Sequence, residues 1–329
     1  MAQNGTQHPN RSAWPPAPYR ALSLKQPANL RAALKTLINE KGDGPSDNLL
    51  MGLGLGVPSV EVAKVLSVTR ADWIWVDAEH SPFNVNLLAD VIQTINFYSE
   101  GHTAPVVRIP GLDAGFIAHV LDAGAGGIIM PHAEDPDEIR QLVSYSRFPP
   151  QGHRSYPPFA VIPGMTDQAP EGSSFLHVAN DHIAVIPQVE SAKGIENLEE
   201  ICQIPGVDAI MIGAGDLRMD LGYPMGLLGD EPDFVAAFEK VKRVCAKYGK
   251  PIVGLAMNDE LLQNRIKYGY RMLCVAADLF LLAFGSASAL HEMKQGAQKL
   301  LKEAKDAGPE LDVKAAAAAA TGQTIASTD

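Results

Sequence analysis

Residues 105–143 read PVVRIPGLDAGFIAHVLDAGAGGIIMPHAEDPDEIRQLV, and their order decides the fold. Pro105–Ile109 is an apolar run of strand length. AGFIAHVLDAG then spaces Phe116, Val120 and Leu121 at helical intervals. Gly127–Pro131 is a second apolar run, and EDPDEIRQLV opens a second helix. There Asp135 is placed to cap, Pro136 fits the first turn and Glu138 completes a capping box. Both strand-like runs are continuously apolar rather than alternating. That pattern belongs to a sheet buried on both faces, hence to parallel strands with crossover helices.

The unit repeats in both directions. Further apolar runs occur at Leu49–Gly54, Trp73–Asp77, Ile183–Val189, Ala209–Ile212, Pro251–Leu255 and Met272–Ala276, eight in all with the two above. Eight such units in about 250 residues predict an α/β chain folded as a (β/α)8 TIM barrel. The rival is an open doubly wound sheet, whose nucleotide loop needs G-x-G-x-x-G after the first strand. GLGLGVPS offers Gly52, Gly54 and Gly56 but no third glycine at the required place, and no suitable acid follows.

Before the first strand, Leu30, Leu34, Leu37 and Ile38 give the spacing of a helix starting near Asn29. Residues 1–28, rich in Pro, Asn and Gln, read as an irregular arm, and residues 29–305 as the barrel domain. Residues 306–329, with KAAAAAATGQTIASTD, read as a frayed low-complexity tail, because nothing there can bury a face.

The formal net charge of −11 argues against a nucleic-acid or anionic-membrane partner, which would need clustered Lys and Arg. No window approaches the ~18 consecutive apolar residues of a membrane span. The polar start MAQNGTQHPNRS lacks the apolar core of a signal peptide. Cys202, Cys245 and Cys274 are an odd, widely spaced set without C-x-x-C, so reduced thiols in the cytoplasm are expected.

Barrel enzymes build their sites at the carboxyl ends of the strands. Here the second strand runs into Asp77, Glu79 and His80, with Ser81-Pro82 expected to start the next helix. The third ends at Arg108, the fourth at His132, the fifth at Gln188 and Glu190, and the sixth at Gly213-Ala-Gly215-Asp216. Any one of these alone reads as a helix cap or a structural ion pair. Five consecutive strands ending in groups that ligate, ionise or donate read as one site. Glu190 and Asp216, from adjacent strands, suit a hard divalent cation, Mg2+ or Mn2+ rather than structural zinc. The glycines beside Asp216 leave backbone N–H groups open to an anion, and Arg108 is placed to hold a carbonyl oxygen. Together these describe a site for a 2-oxo acid, with His80 moving protons through a water.

WIWVDAEHSPFN, VVRIPGLD followed by LDAGAGGIIMPHAEDPDE, PPQGHRS, and IPQVESAKGIENLEEICQIPGVDAIMIGAGDL resemble, in order and spacing, the HpcH/HpaI aldolase/citrate lyase family. The resemblance covers roughly residues 49–290. It implies a metal-dependent carbon–carbon lyase on a (β/α)8 barrel that releases a pyruvate enolate from a 4-hydroxy-2-oxo acid or from oxaloacetate. It implies Glu190 and Asp216 as ligands of Mg2+, with Mn2+ or Co2+ as substitutes, and Arg108 on the ketoacid oxygen. The N–H groups of Gly215 and Asp216 would receive the carboxylate, and Gln188 would support substrate or a metal water. His80 would be the acid/base with Asp77 nearby, and Asp122 would reach in from a neighbouring subunit of a homohexamer, a trimer of dimers. WPPAPYRAL, Trp75 and His132 match a fungal branch that decarboxylates oxaloacetate and adds the enolate to an acceptor. There Trp75 and His132 would line the second-substrate pocket.

Two departures stand out. The family's usual G-P-x-D is here Gly213-Ala214-Gly215-Asp216, and Phe175 stands where the family commonly carries a tyrosine. Three other readings remain. A Schiff-base aldolase needs a lysine at a strand's carboxyl end, but Lys193 lies in a helix start and Lys250 precedes the seventh strand. A barrel that only binds metal and 2-oxo acid is the second. A lyase acting on a CoA ester is the third, although no basic cluster suits the CoA phosphates.

Overall fold

The computed structural model describes residues 26–162, 169 and 172–306. The expected arm up to residue 25 and the expected tail beyond residue 306 lie outside them. The described residues fall into two compact units, 26–279 and 280–306.

The first unit contains eight strands: β1 Leu50–Leu55, β2 Trp73–Asp77, β3 Ala104–Arg108, β4 Gly127–Met130, β5 Ala184–Val189, β6 Ile210–Ile212, β7 Ile252–Leu255 and β8 Tyr270–Ala277. They pair in parallel and in chain order, and β8 returns to β1, so the sheet closes into the expected barrel. Every predicted strand is present, its ends displaced by no more than two residues. Helices α2 Val60–Ser67, α3 Val85–Tyr98, α4 Ala114–Asp122, α5 Pro136–Ser146, α7 Ala192–Gln203, α9 Pro232–Lys247 and α10 Asp259–Lys267 form the crossovers. The remainder are α1 Leu30–Lys35, α6 Phe175–His182, α8 Ala214–Asp220 and α11 Asp278–Asp306.

Local signals start these helices. Asn29, Ser59, Asp113, Asp135, Ser174, Ser191 and Asn258 each accept a bond from the first turn that follows, and such caps are worth about 1 kcal/mol each. One expected start is corrected. Ser81-Pro82 does not open α3, which begins at Val85 because the Asn84 side chain caps the amide of Leu87. Residues 81–84 stay irregular as part of the β2–α3 turn.

Two apolar cores result from the period-two pleat of each strand. Ile74, Val76, Val107, Ile128, Val185, Val189, Ile210 and Ile212 point outward into the layer beneath the helices. Trp73, Ala104, Val106, Ile129, Ala184, Ile186, Met211, Val253, Met272 and Cys274 point into the barrel. At the amino ends of the strands that inner core is closed by Leu30, Ala33, Leu34 and Leu37 of α1 and the turn after it. Arg31 fastens this plug, donating to Asp208 at 2.7 Å and to the carbonyl of Asn180 at 2.7 Å. At the other end the same inward positions change character. Trp73 and Trp75 lead to Asp77, Val106 leads to Arg108, and Ile186 leads to Gln188. A single parity therefore carries each strand from the plug to the site.

Candidate active site

The register of β2 on β3 sets Asp77 directly beside Arg108. Arg108 donates through Nε and Nη2 to the two Asp77 oxygens at 2.9 and 2.8 Å. Its Nη1 lies 3.1 Å from Glu79 Oε2, an ion pair without hydrogen-bond geometry. The guanidinium also stacks 4.7 Å from the centre of the Trp75 ring. Burial opposes the charge of Arg108, but the Asp77 bonds, helped by Glu79 and Glu190, outweigh it and hold the pKa above the ordinary value. Of its five N–H groups two are hydrogen-bonded to Asp77, leaving three, two of them on the Nη1 that faces Glu79.

Glu190 faces this clamp from the end of β5. It is only 4% exposed. Gln188 Nε2 donates to its Oε2 at 2.5 Å and the His132 amide to its Oε1 at 2.7 Å. Burial pushes its pKa up against these two donors, and the charge of Asp216 pushes the same way. Gly213 makes the approach of Glu190 to the β6–α8 turn possible, since a β-carbon there would fall 2.2 Å from Glu190 Oε2. His132 holds its backbone at φ +49°, a left-handed conformation rare for a side-chain-bearing residue. Its ring sits between two carboxylates, with Nδ1 3.6 Å from Glu190 and Nε2 3.9 Å from Glu79.

The end of the barrel thus gathers Asp77, His80, Arg108, His132, Gln188, Glu190, Gly215 and Asp216, with Trp75 beneath. His80 is 72% exposed at the rim, its Nε2 3.6 Å from Glu79, while its backbone amide rather than its ring addresses Asp77 at 3.5 Å. Asp122 is elsewhere. It closes α4, at the amino end of the barrel, and is paired with buried Arg154 at 2.7 Å. Phe175 is buried in α6 and packs its ring 5.9 Å from Phe148, in the core.

Sequence reasoning gave Glu79 no role, yet Arg108, His80 and His132 all approach it. Its place in D-x-E-H, two residues from Asp77 and so on the same parity, was the available signal. Lys193 is an exposed partner of Glu134, 3.4 Å away. Lys250 has a pKa lowered by burial, but it donates to the Val207 carbonyl at the amino end of the barrel. Neither supplies a Schiff-base lysine at the mouth.

Among the described residues no group of three His, Cys, Asp or Glu is arranged to hold a metal ion. Glu190 and Asp216 nevertheless fit a hard cation that takes its other ligands from water or substrate. Glu190 is a desolvated carboxylate beside a second carboxylate, and Gln188 Oε1 is a buried acceptor left without a partner.

The comparisons with known proteins agree with the barrel fold. Residues 53–283 match the family model described as HpcH/HpaI aldolase/citrate lyase. A hydroxypyruvate/pyruvate aldolase of Deinococcus radiodurans is 33% identical, over 71% of this chain and 81% of its own. A 4-hydroxy-2-oxo-heptane-1,7-dioate aldolase of Shigella flexneri is 31% identical, over 74% of this chain and 92% of its own. The crystal structure of macrophomate synthase superposes with a TM-score of 0.78 at 34% identity, over 91% of this chain and 99% of that one. The chain is therefore a carbon–carbon lyase of the aldolase type, and it belongs to the HpcH/HpaI aldolase/citrate lyase family.

Proposed function

We propose that this lyase generates a pyruvate enolate from a 2-oxo acid with a divalent cation at Glu190 and Asp216, Mg2+ first and Mn2+ or Co2+ as substitutes. The observation that carries the reading is the buried Glu190 carboxylate facing Arg108. When bound, the cation supplies Lewis-acid stabilisation of negative charge at the 2-oxo oxygen. Arg108, clamped on Asp77, offers N–H groups that Asp77 does not engage to that oxygen without having to reorganise. Gly215 and Asp216 receive the substrate carboxylate on their backbone N–H groups. Gln188 orients a water or the substrate through its free Oε1. Glu79 holds His80 and His132 over the mouth, and exposed His80 takes or returns the proton of the second reactant through water. Trp75 and His132 border the space left for that reactant.

The cleaved substrate is a 4-hydroxy-2-oxo acid, as the name of the heptanedioate aldolase relative suggests, or oxaloacetate, which would leave carbon dioxide and the same enolate. Pyruvate release from both is measured with EDTA and then with added Mg2+. The expected outcome is loss in chelator and recovery with metal, and full activity in EDTA sinks the reading. Glu190→Ala should lose Mn2+ binding, whereas His80→Ala should retain it and lower aldol turnover by ~100-fold.

A homo-oligomer, of the hexameric kind that the family resemblance implies, is part of this proposal. Leu279, Phe280, Leu281, Leu282, Phe284 and Leu290 of the 29-residue α11 are exposed, which favours burial against another chain. Asp122 takes part only if a neighbour's site receives it, so an active monomer in sedimentation removes it from the mechanism. No described helix is long and apolar enough to cross a membrane. The three buried free thiols suit a reducing compartment, and we assign the enzyme to the cytoplasm.

A further inference from the structure

Between α8 and α9, residues 221–231 have no regular secondary structure, yet they are tied down along their length. Arg218 Nη1 donates to the Pro224 carbonyl at 2.7 Å, and the same guanidinium pairs with Glu231. Tyr223 donates to Asp233 at 2.9 Å. The decisive tie comes from α10. Arg265, 1% exposed, donates through Nη2 to the Leu227 carbonyl at 2.9 Å and through Nε to the Leu255 carbonyl at 3.2 Å. Its guanidinium lies 5.4 and 5.3 Å from the ring centres of Phe238 and Tyr270. A planar fork bonded to two carbonyls from separate segments is a clamp with little freedom. It joins the loop to the end of β7.

The clamped loop sets Met225 and Leu227 beside Gly215. A β-carbon on Gly215 would meet Leu227 Cδ2 at 3.8 Å and Met225 Cγ and Sδ at 3.9 and 4.0 Å. Both side chains therefore lie against the backbone that leads into Asp216. Met225 is 70% exposed, on a backbone that the surrounding bonds do not allow to fold away. The groups across the mouth are charged, whereas these two are apolar. Apolar walls with a few convergent polar groups are the usual build of a small-molecule site.

We propose that Met225 and Leu227 are specificity-determining side chains that line the carbon chain of the 2-oxo acid, with Arg265 as the positioning residue that holds them there. The proposal rests on the 2-oxo acid reading above. Neither a thioether nor an isobutyl group satisfies a hydroxyl, so a methyl or methylene beside them is favoured and a C3 hydroxyl is disfavoured. Contacts of this size discriminate by about tenfold and upward.

The test uses the full chain loaded with Mn2+, in D2O, and follows exchange of the C3 hydrogens of pyruvate, 2-oxobutyrate and 3-hydroxypyruvate by NMR. Exchange needs no acceptor, so the unidentified second reactant does not enter. In the Met225→Ala/Leu227→Ala double variant we expect KM for pyruvate and 2-oxobutyrate to rise about tenfold or more. We expect KM for 3-hydroxypyruvate and all three kcat values to stay within twofold, with Mn2+ affinity unchanged. Met225→Leu alone should leave the wild-type preference, and Arg265→Lys should shift KM in the same direction as the double variant. An unchanged donor preference in the double variant overturns the proposal while leaving the enzyme's reaction intact. Absence of Mn2+-dependent exchange with every donor in the wild type overturns the 2-oxo acid reading, and this inference with it.

Discussion

At the scale of single residues, two backbone features hold Glu190 in place. Gly213 makes room for it, and His132, at φ +49°, turns its amide onto it. Gly213→Ala should lower Mn2+ affinity at least tenfold while the far-UV circular dichroism stays unchanged, because the added carbon displaces the carboxylate rather than the core. Wild-type affinity in that variant would count against the placement of the cation. His132 separates backbone from ring. His132→Gly removes the imidazole but accepts the left-handed conformation, so Mn2+ affinity should stay within about threefold. His132→Val keeps a side chain that resists positive φ and should cost about 1–3 kcal/mol in urea unfolding. Equal stability of the two variants would show that the conformation carries no strain. Glu190, Asp216, Arg108 and His80 were legible as site candidates because each ends a strand-like run. The pairing of Arg108 with Asp77 was not, since it needs the register of two strands.

At the scale of elements, the strands were legible almost to the residue, because each is an apolar run bounded by turn residues. The α3 start was misplaced because Ser81-Pro82 and Asn84 are both plausible caps, and only the observed bond to Leu87 separates them. The junction of β8 and α11 escaped notice altogether. Asp278 is buried there and its carboxylate accepts from the amides of Gly56, Val57 and Leu279 at 2.7–3.1 Å. This ties the turn after β1 to the end of β8, where the barrel closes. Asp278→Ala leaves the half-buried amides of Gly56 and Val57 without that acceptor and should cost about 1–2 kcal/mol. A urea midpoint within error of wild type would remove this tie from the account of barrel closure.

At the scale of the whole molecule, the amino-terminal plug couples stability to pH. His182 Nδ1 contacts the Pro27 carbonyl at 3.0 Å, beside the chain that leads into α1. Burial holds its pKa below 6.5, although the Pro27 bond and Asp181 act the other way. An unfolded chain takes up the proton more readily than the folded one. The contribution of His182 is therefore complete above pH 6.5 and is lost as pH falls from there toward its lower folded value. The slope is at most about 1.4 kcal/mol per pH unit. His182→Asn keeps a donor without a titrating ring, so its stability in urea should change less than wild type between pH 7.5 and 5.5. Parallel pH profiles for the two proteins would contradict this.

What the sequence by itself determined is the repeated β–α unit: eight apolar runs separated by capped helices call for parallel strands buried on both faces, their number favours a closed barrel, and that pattern is local. It also determined which residues stand at the carboxyl ends of the strands, because topology follows from the order of elements. Only the tertiary structure decided which of them meet. Arg108 reaches Asp77 and Glu79, Glu190 reaches the turn at Gly213, and Met225 reaches Gly215 through register and loop packing between segments distant in the chain. It also paired Asp122 with Arg154, a contact between residues 32 apart in the chain. Side-chain contacts across a closed sheet depend on strand stagger and on where loops are fastened, and neither leaves a periodic mark in the sequence.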